Sequence, residues 1–546
     1  MTSRSLGHRA PLLWLVLPLM GGLAAGRVGV MAPVPWLLAG AGLAATLAIV
    51  AVWRSGRTGW VVALAMALFL AGAASYTLHR LRLEAWDRLP AREARVALQI
   101  ERVFSSAKPG KVGGLAKVVR ADAPLQELRG QRIYFSLADR RGAPLPVRGA
   151  VLFASGVLAP LPRDPPFSSF DGYLANAGVN FRLTRGRLLD EEQPAPRYAR
   201  FCARAQARLS AILGVGVESK RPGLVGVLRA MLLGQQHELS TEQTTLFRQT
   251  GTMHVFSISG LHIVVIATAF NALLSLLRLP RVVRVAVALA TLWLYVDVTG
   301  RAPSAVRAFV MVACVEASLV LRTPRNPLAA LAASTLFVLL VAPLQCFSAS
   351  FQMSYGIVAA LLLLGLPLSE QWSETGTLFK DLPKISWVWH QRLRDLIWRG
   401  LLSAVGIGVA TALVSAVTGV LFFNLFTPGA LLANLWLIPA SSLVILFGLT
   451  SLLSGLAGFT AGSALANHAA VFVLWAVDRG VKVNVALPGM WQNAAFRAPW
   501  IGVVTLALLV AVMVAGYASN WKGWARGFWP PFAVVVVAMI FGVKFG

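Results

Sequence analysis

The sequence predicts a polytopic α-helical membrane protein of about thirteen spans, with one external, water-facing small β-barrel domain inserted after the third. Three observations carry that fold class. Of 546 residues, 57% are hydrophobic and only 13% are charged, against about 25% charge in an ordinary soluble domain. The apolar residues are gathered into repeated runs long enough to cross a bilayer, which one soluble core does not require. The pattern breaks between residues 80 and 221, where Lys and Arg number 25 against 13 Asp and Glu and the apolar stretches shorten to strand length.

Residues 1–79 hold three spans, Leu12–Val28, Pro35–Val52 and Trp60–Leu78. Arg4 and Arg9 precede the first, and Arg54 and Arg57 link the second to the third. The cytoplasmic bias of basic short loops therefore puts the N-terminus inside and residue 80 outside. No small-residue cleavage site follows the first run, so it is expected to stay as a helix.

Residues 80–221 form the external domain. Ala94–Phe104 alternates, with Val96, Leu98 and Ile100 on one side, and Gly114–Val119, Arg132–Leu137, Gly149–Leu158 and Val179–Leu183 lie between Pro, Gly and Arg turns. Five short strands fit a barrel of the oligonucleotide-binding-like kind, and a β-sandwich fragment fits almost as well. Arg197–Leu213 reads as an amphipathic helix leading back to the membrane.

Residues 222–477 supply His254–Leu277, Val285–Thr299, Ser304–Leu321, Leu328–Val341 and Phe351–Leu368. A polar stretch at Glu370–Arg399 follows, then Gly400–Phe426, Gly429–Leu449 and Leu452–Val477. Residues 478–546 add Ile501–Ala515 and Phe532–Val543. Arg278, Arg281 and Arg284 in one link, and Arg322 and Arg325 in another, fall inside when the barrel is outside. Arg479 and Lys482 fit that count poorly, and a missed or re-entrant segment near Pro428 or Trp491 would repair it.

The formal charge is +28. Basic loops and anionic lipid account for part of it, and a polyanionic ligand is the other account. The barrel's share needs a cause other than topology, because long external domains escape the inside rule. Three cysteines without a CxxC give no disulfide framework. No Gly-x4-Gly-Lys-Ser/Thr loop is present to drive transport with ATP. The seven histidines are isolated, so no metal centre, no cofactor and no enzyme activity are expected.

The candidate functional residues are polar groups inside apolar runs, which usually face a bundle interior or a cavity. His254, Ser257, Ser259, Gly260 and His262 form the densest set. On a continuous helix, histidines eight apart share one face, with Ser257 near them. Gly260 then acts as a close-packing point or as a break, and unwound helix at membrane depth survives only when buried or lining a cavity. Helix packing through small residues is the competing account. Asp297 and Arg307 flank a break at Gly300–Ser304, and Glu316, nine residues further on, needs a partner or a proton. Gln352 and Asn434 mark two further polar breaks, for which loop capping is the competing account. His468, in the Leu452–Val477 run, is expected to be a core or helix–helix histidine.

Four sequence elements in order resemble the ComEC family, the inner-membrane channels of bacterial DNA uptake. The first is Ile258-Ser259-Gly260-Leu261-His262-Ile263, with His254 ahead of it, approached through Met231–Gly234 and Arg248–Gly251. Gly300 with Pro303-Ser304 and Arg307-Ala308, then Phe351-Gln352-Met353-Ser354-Tyr355, then Phe426–Asn434, complete the series. Upstream, Pro165–Tyr173 is similar to the close of the family's external domain.

The resemblance implies a channel passing single-stranded DNA into the cytoplasm during natural transformation, in the bacterial inner membrane, with residues 80–221 periplasmic or extracellular. Arg132, Arg140, Arg141, Arg148, Arg182 and Arg185 are the DNA-contact candidates on the barrel. The implied partners are membrane lipids, a periplasmic DNA-binding protein and a cytoplasmic ATPase or helicase, with homo-oligomerisation left open. Two departures stand out. The chain is expected to be a form lacking the family's C-terminal metallo-β-lactamase-like domain, and Cys202 is alone in the external domain, so the disulfide of some members cannot form. The alternatives are a transporter of a non-DNA solute or a structural component of an uptake machinery.

Overall fold

The computed structural model describes all residues except 1–11, 30–31, 55–56, 81–89, 105–110, 139–145, 163–164, 257, 323–325 and 380–386. Three helices open the chain, α1 (Leu13–Val28), α2 (Val34–Trp53) and α3 (Arg57–His79). The first two both pack on α3. A Cβ at Gly22 or Gly72 would overlap the backbone of the facing helix, the close approach that small residues allow between membrane helices.

The external domain is a closed barrel of β1 (Arg92–Phe104), β2 (Lys111–Ala121), β3 (Arg132–Ala138), β4 (Val151–Pro160) and β5 (Phe181–Gln193), in the order β1-β2-β3-β5-β4. Among the described strands, only β3 and β5 pair in parallel. Closure favours the barrel over the sandwich fragment, because alternate residues of every strand converge on one core. Val96, Leu98, Ile100, Ile133, Phe135, Leu152, Phe181 and Leu183 fill it. A short helix, α4 (Phe170–Asn176), is capped by Ser169, whose Oγ accepts from the Gly172 amide at 3.0 Å.

The remaining helices are α5 (Arg197–Gly214), α6 (Pro222–Leu233), α7 (Thr241–Gln249), α8 (Gly260–Leu276), α9 (Arg281–Val298), α10 (Pro303–Val320), α11 (Pro327–Val341), α12 (Ala349–Thr375), α13 (Trp389–Phe423), α14 (Ala430–Leu456), α15 (Thr460–Ala486), α16 (Pro499–Ala518) and α17 (Trp529–Gly542). Among the described residues, eight helices are long and apolar enough to cross a membrane, rather than about thirteen. They are α2, α3 and α12 to α16, with Gly523–Gly542 around α17 as the eighth. Leu13–Val28, Pro222–Leu233, Gly260–Leu276 and Pro327–Val341 are apolar but shorter, and at about 1.5 Å per residue they fall short of a hydrocarbon core of about 30 Å.

Three short strands, β6 (Leu425–Phe426), β7 (Gln492–Phe496) and β8 (Val543–Phe545), form a small sheet that the sequence did not suggest. It ties together the end of α13, the approach to α16 and the end of α17. The Gly429 amide donates to the Met490 carbonyl at 3.0 Å beside it. Pro428 and Trp491 thus flank a sheet, not an additional crossing. Lys482 is paired with Asp478 at 3.0 Å and Glu242 at 3.9 Å near the end of α15.

The barrel meets the bundle through side chains. Asn176 of α4 donates to the Phe347 carbonyl at 3.1 Å and accepts from Arg27 at 3.4 Å. The Arg27 guanidinium lies over the Phe167 and Phe347 rings, and Phe167 meets Phe422 edge-on.

Candidate functional site

Residues 251–256, 258 and 259 are not helical. Helix α7 is followed by its C-cap Thr250, whose Oγ1 lies 2.6 Å from Thr252 Oγ1 in a buried pair. Gly251 turns the chain with φ +68°, a conformation that favours glycine. Phe247 and Phe256 stack at 3.5 Å across the turn. Helix α8 then starts at Gly260. The Ser259 amide donates to His262 Nδ1 at 3.3 Å and the Ser259 hydroxyl lies 2.8 Å from the same nitrogen, so His262 caps the first turn as a carboxamide would.

The expectation that His254 and His262 share one helical face is therefore corrected, because no helix joins them. His254 is exposed and bonded to the Gly251 backbone. His262 is fully buried, and its Nε2 has no partner. Ser257 lies outside the described residues. Gly260 is exposed, and among the described residues a Cβ placed on it would meet only Ala308, at 4.0 Å. Ser304 Oγ donates to the Ile258 carbonyl at 2.7 Å, which joins this segment to the start of α10.

Arg307, one turn into α10, is 1% exposed. Its Nη2 donates to the Ser350 carbonyl at 2.7 Å and to Ser350 Oγ at 2.6 Å, and its Nη1 to Gln345 Oε1 at 3.4 Å. Gln352 donates to the Cys346 carbonyl at 3.2 Å, and its Oε1 is buried without a partner. These residues, from three separate sequence elements, converge on the turn between α11 and α12. Glu316 stands apart and accepts from Asn271 Nδ2 at 3.0 Å. Asn434 lies on α14 with its Oδ1 buried and unpartnered.

Asp297 closes a different junction. Its buried carboxylate accepts from the Tyr198 hydroxyl at 2.8 Å, pairs with Arg301, and faces Arg148 of the barrel segment at 3.7 Å. It joins the barrel, α5 and the α9–α10 turn, where Arg301 adopts φ +54° and lies over the Trp293 ring.

On the barrel, three of the six arginines proposed for a ligand are engaged with carboxylates. Arg132 pairs with Glu101 at 2.6 Å, Arg182 with Asp171 at 3.5 Å and Arg148 with Asp297. Arg185 is exposed, at φ +51°. Arg140 and Arg141 lie outside the described residues. The barrel carries instead an aromatic patch of Phe104, Tyr134, Phe170 and Tyr173, with ring centroids 5.2 to 6.4 Å apart. Phe170 is 52% and Tyr173 39% exposed. Arg102 lies 5.6 Å from the centre of the Phe104 ring and donates to the Tyr173 hydroxyl at 3.4 Å. Partial burial raises the Tyr134 phenol above its ordinary pKa, so it stays neutral.

Sequence reasoning passed over Asn467 and Asn484, both buried on α15. Asn467 Nδ2 donates to the Ile212 and Val215 carbonyls at 2.8 and 3.0 Å, closing the C-terminal end of α5. The signal was there: an amide inside an apolar run needs a partner. His468 beside it, expected as a core or helix–helix histidine, is exposed rather than in the core; it bonds the Ala464 carbonyl of its own helix at 2.8 Å and lies against the Gly216 turn after α5. Among the described residues, no group of three His, Cys, Asp or Glu could hold a metal ion.

A helical bundle with several crossings, a closed five-stranded barrel and buried polar groups at the helix breaks define a multi-pass membrane protein with a domain outside the bundle. The competence protein family model matches residues 231–520, more than half of the chain, and the chain belongs to that family. The match takes in every helical site candidate above and leaves the barrel out. The chain is 29% identical over 142 residues to the ComE operon protein 3 of Bacillus subtilis (strain 168), covering 26% of this chain and 18% of that protein. It is 28% identical over 275 residues to the competence protein ComA of Neisseria gonorrhoeae, covering 48% of this chain and 35% of that protein. The matched stretches thus span under a fifth of the first relative and about a third of the second. No solved structure matches the chain.

Proposed function

We propose that this chain is a ComEC-type channel of the bacterial inner membrane that takes up single-stranded DNA, with the barrel on the periplasmic side. One observation carries the reading, the exposed aromatic patch with Arg102 on a closed five-stranded barrel. Bases stack on exposed rings without regard to sequence, and nearby cations track the backbone, which is how oligonucleotide-binding folds hold single strands. Phe170 and Tyr173 would take the bases; Arg102 and Arg185 would face phosphates. Family membership supports the process, and the agreement of the basic short loops supports the orientation. A cytoplasmic ATPase or helicase and a periplasmic DNA-binding protein would supply force and delivery.

The test is binding of fluorescent oligothymidylate to the detergent-solubilised full chain across a salt series, together with uptake of labelled DNA by cells with and without the chain. Salt-sensitive binding and loss of uptake are expected. Unchanged uptake in cells lacking the chain overturns the reading.

A further inference from the structure

We infer that Arg307 and the first turn of α12 form a phosphodiester-binding station inside the bundle, held closed in this structure by Gln345 and Ser350. The inference deepens the proposed function and rests on single-stranded DNA being the cargo.

The other buried ions among the described residues have opposite charges beside them. Asp297 has Arg301 and Arg148, and Asp395 has Arg399. Arg307 is the exception among the described residues. It is 1% exposed, its three hydrogen bonds go to neutral oxygens of Ser350 and Gln345, and its Nε is buried with no partner. A buried charge without a counter-charge is costly.

The position adds to the cost. Ser350 is the second residue of α12, just after the Ser348 cap, so the guanidinium lies at the positive end of a helix dipole. The Ala349 and Ser350 amides have no acceptor within the helix, as first-turn amides do not. A cation and a helix N-terminus facing each other form a site for an anion between them. A guanidinium fork matches two oxygens of a phosphodiester, which would bring the counter-charge that the neutral oxygens of Ser350 and Gln345 do not carry.

The barrel holds the same turn. Arg307 bonds Gln345 and Ser350, while Asn176 of the barrel bonds the carbonyl of Phe347 between them. A strand delivered along the barrel therefore arrives at the segment that covers the guanidinium.

The test uses the full chain in detergent, in a Phe170→Ala/Tyr173→Ala background that removes the barrel's stacking contribution. Thermal unfolding and affinity are measured with oligothymidylate, with its uncharged methylphosphonate analogue, and with phosphatidylglycerol, which offers the same phosphodiester from a lipid. Phosphodiester oligothymidylate is expected to raise the Tm and the methylphosphonate is not. Arg307→Met should unfold no earlier than its parent without ligand, because an unpaired charge has gone, and should lose roughly ten- to hundredfold in oligonucleotide affinity. Gln345→Met, which only frees Nη1, should bind several-fold more tightly. An Arg307→Met chain that unfolds earlier yet binds the oligonucleotide as its parent does overturns the station in favour of a packing role. An Arg307-dependent shift with phosphatidylglycerol alone overturns the strand as its occupant. In cells, normal DNA uptake by the Arg307→Met chain would sink the station and leave the channel reading intact, whereas normal uptake without any chain removes the channel reading itself.

Discussion

The Tyr198 hydroxyl donates to the Asp297 carboxylate at 2.8 Å, and through that bond α5, which follows the barrel, is fixed to the end of α9. Asp297 is buried, whereas Arg301 and Arg148 beside it stay partly exposed. Tyr198→Phe should cost about 1.5–3 kcal/mol, the range for a hydrogen bond to a charged group. Asp297→Ala should cost about 3 kcal/mol, the lower end for a broken buried pair, because both arginines can be resolvated. Thermal unfolding in detergent reads both. A neutral Asp297→Ala would show that the joint contributes nothing and would reopen a pathway role for this carboxylate.

The aromatic patch makes a prediction separable from charge. Phe170→Ala and Tyr173→Ala should each weaken oligothymidylate binding by about 1–3 kcal/mol, the range for loss of one stacked base. The slope of affinity against salt should stay unchanged, because no phosphate contact is removed. Arg185→Ala should do the reverse and lower that slope by roughly one contact. Equal effects of all three on the slope would mean that the rings are not stacking surfaces.

Asn467 and His468 are neighbours with opposite expectations. Asn467→Ala strips two carbonyls of α5 of a buried donor and should cost about 1–3 kcal/mol. His468→Ala removes an exposed ring bonded to its own helix and should stay within about 0.5 kcal/mol. Unfolding curves for the two variants, run side by side, decide it, and a larger loss for His468 would mean that its contact with the Gly216 turn, not the Asn467 amide, holds α15 to the end of α5.

Helices and strands with a strong pattern were legible in the sequence, and their partners were not. β1 follows Val96, Leu98 and Ile100 and was read to within two residues of its start. β5 was read as ending at Leu183 but runs to Gln193, because its second half is charged and its pairing with β4 is a long-range fact. The span expected from His254 became a helix only from Gly260, since apolar content alone does not tell a helix from a buried loop whose polar groups are satisfied locally. At the site, sequence position picked out Arg307, Gln352 and His262 as polar residues in apolar runs. Arg307 bonding the turn ahead of Gln352 depends on helix packing, which no local pattern encodes. The barrel arginines were chosen by charge, and three of them proved to be committed to Glu101, Asp171 and Asp297.

Gly260 gives the sharpest separation of pathway from packing. If the glycine were there to let helices touch, a Cβ on it would collide, as at Gly72, where it would overlap the Leu19 carbonyl. At Gly260 the added atom meets, among the described residues, only Ala308, at ordinary van der Waals distance, and the backbone is helical rather than left-handed. Gly260→Ala should therefore fold normally and gain about a few tenths of a kcal/mol from helix propensity, whereas Gly72→Ala should lose about 1–3 kcal/mol through overpacking. Gly260→Leu places a bulky side chain in the open space beside Ser259 and His262. It should abolish DNA uptake while detergent-resistant folded protein stays near the parent level. Both quantities are measured on the same cells. If uptake falls only in proportion to folded protein, the space beside Gly260 is not on the path of the strand.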